Sequence, residues 1–199
     1  SIKEMKGEIK QKNPLEYDIY TKLELKEEWL IEGKKKKLDP DSQFDAAEFT
    51  KGYKVYSSSV HNNPIAQLVA KNGDLVYITV IDSVSDNMLD LMELPGKIFK
   101  NPELESIYTG VRIPMISLEQ EIDYSWIVGM GIGIDYGRIS KADGKNQLRL
   151  NEKRAEAVVE FHMICNTIGL NFRKPENILV IDQPFLIWFQ RKEYQFPLF

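Results

Sequence analysis

The chain has 199 residues, 43% of them apolar and 28% charged, and its 26 basic against 30 acidic side chains leave a net charge of −4. That length buries about 70% of the unfolded surface as one well-packed domain, and the even charge balance excludes a disordered acidic tail and a generally basic nucleic-acid binder. No apolar run reaches the roughly 18 residues of a membrane span, no secretory-signal pattern stands at the first residues, and one cysteine, Cys165, leaves no internal disulfide, four-ligand zinc site or Cys-x-x-Cys pair.

Charge concentrates early. Residues 1–50 carry 10 Lys and 12 Asp or Glu, which marks a solvated start with the core later in the chain. Ile2, Met5 and Ile9 recur at three- and four-residue spacing ahead of Pro14, and predict the end of a short amphipathic helix stopped by proline. Tyr17, Ile19, Thr21, Leu23 and Leu25 then alternate with Asp18, Tyr20, Lys22 and Glu24, the period-2 pattern of a half-buried strand over 17–25. Lys34–Lys37 reads as a turn. Strands are expected at 53–56 and 75–81, then a helix at 86–93 with Met88, Leu91 and Met92 on one side. A strand follows at 110–118, a weak helical pattern at 124–130, a strand at 147–150, and above all the run 178–190, rich in Ile, Leu, Val, Phe and Trp. With no fixed-period repeat and no Ser/Gly-rich linker, the whole chain 1–199 reads as a single α+β unit, strand-rich with few helices.

Motifs that could carry chemistry are sparse. Gly129, Gly131 and Gly133 resemble half of a phosphate-cradling loop but lack the strand before and the helix after, so a plain turn is the better reading. His162 and Cys165 are three apart, yet His61 is the only other histidine and no acidic residue follows at metal-ligand spacing; no metal and no cofactor are expected. Lys34, Lys35, Lys36 and Lys37 could attract a polyanion, although Glu27, Glu28, Glu32, Asp39 and Asp41 would screen them and a solvated turn explains them more simply. Glu119, Glu121 and Asp123 alternate like catalytic carboxylates without an assignable acid partner, and read as an exposed strand end.

The C-terminal run changes the picture. Leu179, Val180, Ile181, Asp182, Gln183, Pro184, Phe185, Leu186, Ile187, Trp188 and Phe189 resemble, position for position, the C-terminal signature of the serpins. The proline ends one strand at a turn, and the run after it is continuous because both faces of its strand are covered. Upstream segments agree in order. Residues 5–9 look like the end of the helix that crosses the serpin main sheet, and 17–25 like the strand after it. Trp29 stands where the family has a tryptophan closing the top of that strand. Residues 75–81 are similar to the internal strand, although the proline that follows there in the family is here Asp82. Residues 111–119 and 130–132 resemble the segments that precede the reactive region. Leu148, Arg149, Leu150, Asn151, Glu152, Lys153, Arg154, Ala155, Glu156 and Ala157 look like the strand that runs into the reactive-loop hinge.

The resemblance implies a serpin-like fold of predominantly antiparallel and mixed sheets with an incomplete main sheet. The family is about twice as long, and what would supply the first two strands of that sheet is absent here. The expectation is a C-terminal portion, a fragment or a chain completed by another polypeptide, with a reactive-loop region at about 152–178. In the family an inhibitor traps a protease by inserting its cut loop into the main sheet, so hinge residues must be small. Here Arg154 stands where the family has glycine; Ala155, Glu156 and Ala157 are in keeping, and Val158, Val159, Glu160 and Phe161 replace alanine or threonine. An unpaired arginine or glutamate facing the interior costs several kcal/mol, which favours a non-inhibitory or weakly inhibitory member over a suicide trap. Family spacing from Glu152 puts the scissile bond at Ile168 and Gly169, with Thr167 and Leu170 as neighbours. An apolar residue there suits a chymotrypsin- or elastase-like protease. The implied partner is a serine protease or other protein, with no nucleic acid, no membrane and no catalytic residue. The resemblance points outside the cell; the single cysteine is also compatible with the cytoplasm. An unrelated enzyme has no constellation behind it.

Overall fold

The computed structural model describes residues 2–13, 16–82, 88–125, 128–132, 137–138, 141–159, 177–191 and 197. In chain order the elements are β1 (Ile2–Asn13), β2 (Glu16–Glu28), β3 (Lys34–Lys37), β4 (Asp45–Phe49), β5 (Tyr53–Ser58), β6 (His61–Val69) and β7 (Leu75–Val80). Then come the helix α1 (Met88–Ile98), β8 (Glu103–Leu104), β9 (Gly110–Pro114), β10 (Ile116–Asp123), β11 (Gly131–Ile132) and β12 (Gly137–Arg138). The last are β13 (Asp143–Leu150), β14 (Arg154–Val159), β15 (Ile178–Val180) and β16 (Phe185–Gln190). By neighbours, one sheet runs β1-β2-β14-β13-β10, a second β15-β9-β4-β3 and a third β16-β7-β6-β5-β8, while β11 and β12 pair alone. The pairings are antiparallel except β15 on β9, among those whose register is described.

These elements fall into two compact units. The described parts of 1–26, 116–149 and 155–164 form one and carry the body of the first sheet. The described parts of 27–115, 150–154 and 165–199 form the other, with the second and third sheets and α1.

The core of the second unit explains the apolar C-terminal run. In β16, Trp188 lies opposite Tyr77 and Leu186 opposite Thr79, and both join Ile65, Ile81 and Ile98 in one buried cluster. Leu94 and Phe99, in and just after α1, pack against it. Trp188 stacks on Tyr77 with ring centroids 5.0 Å apart and planes 11° apart, and Phe99 stands edge-on to Trp188; such pairs add about 0.5–1.5 kcal/mol beyond their burial. On the alternate positions Val76, Ile78, Ile187 and Phe189 are buried as well. Both faces of β16 are covered, as the continuous apolar pattern requires. In α1, Asp90 near the start and Lys97 near the end complement the helix dipole, and Lys97 pairs with Glu93 at 2.9 Å.

Several expectations need correction. Residues 2–9 are not helical: β1 is a long strand in a hairpin with β2, with Met5 opposite Leu23 and Ile9 opposite Ile19. The alternation Glu4, Met5, Lys6, Gly7, Glu8, Ile9, Lys10 carries period 2 as well as the helical spacing, and pairing with β2 decides between them. Residues 5–9 therefore do not end a crossing helix. Lys34–Lys37 is not a turn but β3, the terminal strand of its sheet, where a row of ammonium groups blocks pairing with another chain. The stretch 110–118 is two strands in different sheets, parted at Met115, whose N–H donates to the Asp45 carbonyl. The run 178–190 is two strands parted at 181–184, in keeping with the turn expected at Pro184. No α-helix occurs among the described residues of 124–130: Val128 N–H closes a turn on the Ser125 carbonyl and Gly129 sits at φ 90°, outside helical space. The remaining strands and the helix appear where expected, with α1 running on through Pro95 to Ile98. No described helix is long and apolar enough to cross a membrane.

Candidate functional site

The hinge predicted from the sequence begins at a tight turn. β13 ends at Leu150, and Asn151 N–H donates to the Arg154 carbonyl at 3.0 Å, so Glu152 and Lys153 form the tip. Asn151 holds this turn with its own side chain, because its Oδ1 accepts from the N–H of Lys153 (2.9 Å) and of Arg154 (3.0 Å). That is the local geometry for which asparagine is favoured in turns. From the other side the segment after β2 satisfies the carbonyls: Trp29 N–H donates to Lys153 O at 2.9 Å and Gly33 N–H to Glu152 O at 2.7 Å. The Trp29 indole N–H donates to Asn151 O at 2.9 Å.

Trp29 is the anchor of this arrangement. It is 1% exposed, its ring meets Phe49 edge-on at 5.7 Å, and its backbone bridges Ala70. Gly33 passes so close to Phe49 that an added Cβ would come within 2.9 Å of that ring, so only glycine lets the segment reach the turn. Trp29, which the sequence resemblance singled out, lies one residue beyond the end of β2.

Past the turn, β14 occupies the middle of the first sheet, with β2 on one side and β13 on the other. Ala155 and Ala157 are buried at 0% and 5% exposure, while Arg154 and Glu156 on the alternate positions are half-buried. Glu156 pairs with Lys26 of β2 at 3.1 Å. The charged hinge residues thus lie on the opposite face from the buried alanines. Arg154 is drawn part-way out of water, with its Nε buried, so a desolvation cost of the kind expected from the sequence stays attached to this position. Val158 and Val159 continue the strand. Glu160, Phe161 and the scissile candidates Thr167, Ile168, Gly169 and Leu170 lie outside the described residues.

The signature residues form the connection from the second sheet to the third. Ile181 N–H donates to the Arg112 carbonyl on β9, and the Pro184 carbonyl accepts from Ile81 N–H just after β7, both at 2.9 Å. Asp182 and Gln183 between them are exposed, and Phe185 begins β16. Arg112 also forks onto the buried Glu48 carboxylate, its cross-strand neighbour.

Of the four lysines, Lys35 and Lys37 are committed to Asp45, at 2.8 and 3.0 Å. Hydrogen bonds from both hold the Asp45 carboxyl below its ordinary range, and the same pair raises Lys35. Lys34 and Lys36 remain as the outward charges of a candidate polyanion patch, half the number counted from sequence. Glu119 is tied to Lys145, which lowers its carboxyl, and to Gln147 at 2.8 Å; Asp123 accepts from Ser125 N–H. Glu119 and Asp123 are thus surface partners of neighbouring groups. His61 shares a 2.9 Å hydrogen bond with Thr79, and burial lowers its ring. His162, Cys165 and Gly133 lie outside the described residues, and Gly129 and Gly131 belong to a turn and a two-residue strand. Asn151 carries the geometry of the turn and Lys26 pairs with Glu156 in the first sheet, and neither had a role assigned from sequence. An Asn closing an apolar alternation was the available signal for the first, and nothing local marked the second.

No family model matches this sequence and no curated protein does. Solved structures do. A serpin from the insect Tenebrio molitor, described as highly specific, superposes with a TM-score of 0.50 at 15% identity, covering 83% of this chain and 50% of its own. The structure of human thyroxine-binding globulin with its ligand gives a TM-score of 0.52 at 13% identity, covering 92% and 53%. The fold is serpin-like. The chain spans about half the length of these serpin-fold relatives.

Proposed function

We propose that this chain supplies the C-terminal portion of a serpin-type protein that acts without catalysis, presenting the segment after β14 to a serine protease or another protein partner, with weak trapping activity or none. The observation that carries this reading is the position of β14 between β2 and β13. A trap draws its force from the strand gained after cleavage. A chain whose hinge strand is already paired, with Ala155 and Ala157 buried and Glu156 matched to Lys26, has spent part of that gain beforehand. The weak-inhibitor reading therefore rests on early insertion, beside the resistance inferred from the charge of Arg154. An extracellular site of action fits the same reading, as does a second polypeptide completing the first sheet beyond its terminal strands.

Incubation with chymotrypsin-like and elastase-like proteases, read on a denaturing gel, tests it. The expected result is cleavage within 160–176 with no covalent complex. A stable one-to-one complex would overturn the reading in favour of a suicide trap.

A further inference from the structure

We propose that the Asn72, Gly73 pair in the turn between β6 and β7 is a site of spontaneous deamidation, held dormant by the folded chain, whose conversion loosens the clasp between Asp74 and Arg191. This inference is independent of the proposed function. Glycine after asparagine leaves the attacking amide nitrogen unshielded. Here Lys71, Asn72 and Gly73 are all exposed, and an added Cβ at Gly73 would meet nothing within 4 Å. In the reaction the Gly73 nitrogen gives its proton to hydroxide and bonds to Asn72 Cγ, the Cγ–Nδ2 bond breaks, and the departing NH2 group takes a proton from water and leaves as ammonia, which restores the hydroxide. Water then opens the cyclic imide at either carbonyl to give aspartate or isoaspartate. No oxidant or reductant is needed.

The folded turn engages both reacting groups. Gly73 N–H donates to the Ala70 carbonyl at 3.0 Å, while Asn72 Oδ1 accepts from Asp74 N–H at 3.1 Å and Asn72 Nδ2 donates to Asp74 Oδ2 at 3.0 Å. Ala70 N–H closes the turn on the Asp74 carbonyl at 2.9 Å, and Lys71 N–H donates to Glu28 O at 2.8 Å. Asp74, 4% exposed, is gripped by Arg191 through Nε at 3.1 and 3.2 Å and through Nη2 at 2.8 Å. The nitrogen must leave Ala70 and the side chain must leave Asp74 before ring closure, so reaction proceeds from a locally opened turn. Once converted, residue 72 sets a carboxylate oxygen where an N–H donor faced Asp74. Two like charges then compete for one guanidinium, and Glu27, also buried, adds a third carboxyl whose charge already acts on Asp74 or is acted on by it. Isoaspartate further lengthens the turn backbone and opposes the Val69 to Leu75 pairing that closes the hairpin.

The test incubates the full chain at mildly alkaline pH with and without urea and follows residue 72 by peptide mass mapping with isoaspartate labelling. Conversion is expected to be at least about tenfold slower in the folded chain, and faster in Arg191→Met than in the parent under native conditions. Asn72→Asp should melt below the parent, and Asn72→Gln should fall between. Equal rates with and without urea, or no product in urea, would overturn the site. An Asn72→Asp melt matching the parent would overturn its link to the clasp, and that measurement stands even if Arg191→Met fails to fold.

Discussion

Asn151 does at the residue scale what a whole loop does elsewhere: one side chain holds two amides and one carbonyl receives an indole. Asn151→Ala removes the shared acceptor and should lower stability by about 1–2 kcal/mol in denaturant titration. Trp29→Phe keeps most of the ring burial but deletes the indole donor, and should cost about 1 kcal/mol on the same scale; a Trp29→Phe curve superimposed on the parent would refute the anchor. Asp74 supplies a pH signature. Burial alone would raise its carboxyl, but hydrogen bonds and charge from Arg191 hold it below the ordinary value. The unfolded chain therefore binds the proton more tightly, and the stabilisation is complete above the ordinary carboxylate value of about 4 and is lost as pH falls through the lower folded value. Melting temperature against pH should show this acid-side loss in the parent and a flatter profile in Arg191→Met; parallel profiles would contradict it.

Between elements, the Lys26 to Glu156 pair couples β2 to β14 with both side chains largely out of water. A double-mutant cycle with Lys26→Met and Glu156→Gln should return a coupling of about 0.5–1 kcal/mol, above the median for exposed pairs. A coupling of zero would mean that the pair adds nothing to the backbone pairing and buried alanines that hold β14. β3 carries a different expectation. Replacing Lys34 and Lys36 by valine leaves the Asp45 bonds intact, strips the charge from a terminal strand and should increase aggregation on warming, read by turbidity. Elements were legible in proportion to how strongly burial fixed their pattern. β7 and β16, covered on both faces, announced themselves, and β2 did so through clean alternation. β1 and β3 were misread because their identity lies in the partner strand: charge-rich sequences with little apolar content take the conformation that pairing imposes. The proposed hinge rests on resemblance, and which of its side chains are buried turns on parity: Ala155 and Ala157 are buried in β14 while Arg154 and Glu156 are half-buried. Nothing in a single sequence gives that parity before the neighbours are known.

At the scale of the molecule, β1 and β10 end the first sheet and β15 and β3 the second. Long outer strands with unpaired backbone groups recruit partners. β1, at 12 residues, is the longest of these. The chain should accordingly sediment or scatter as an assembly larger than one copy, or join a second polypeptide when one is supplied; a concentration-independent monomer with a cooperative melt would count against a completed sheet. Hydrogen exchange should divide the molecule along the same lines. The amides of β6 and β7 should be the last to exchange, because both strands are paired on both sides within the third sheet and are buried.

The short crossing at 181–184 has a mechanical meaning. It is bonded at its first residue to Arg112 and at its last to Ile81, so it has no slack to take up a displacement. Those four residues couple β9 directly to the strand that carries Trp188, whose ring lies flat on Tyr77. A load that slides β9 along its neighbours would therefore reach the indole, and emission in a variant that keeps Trp188 as its sole tryptophan would read it as a change of colour.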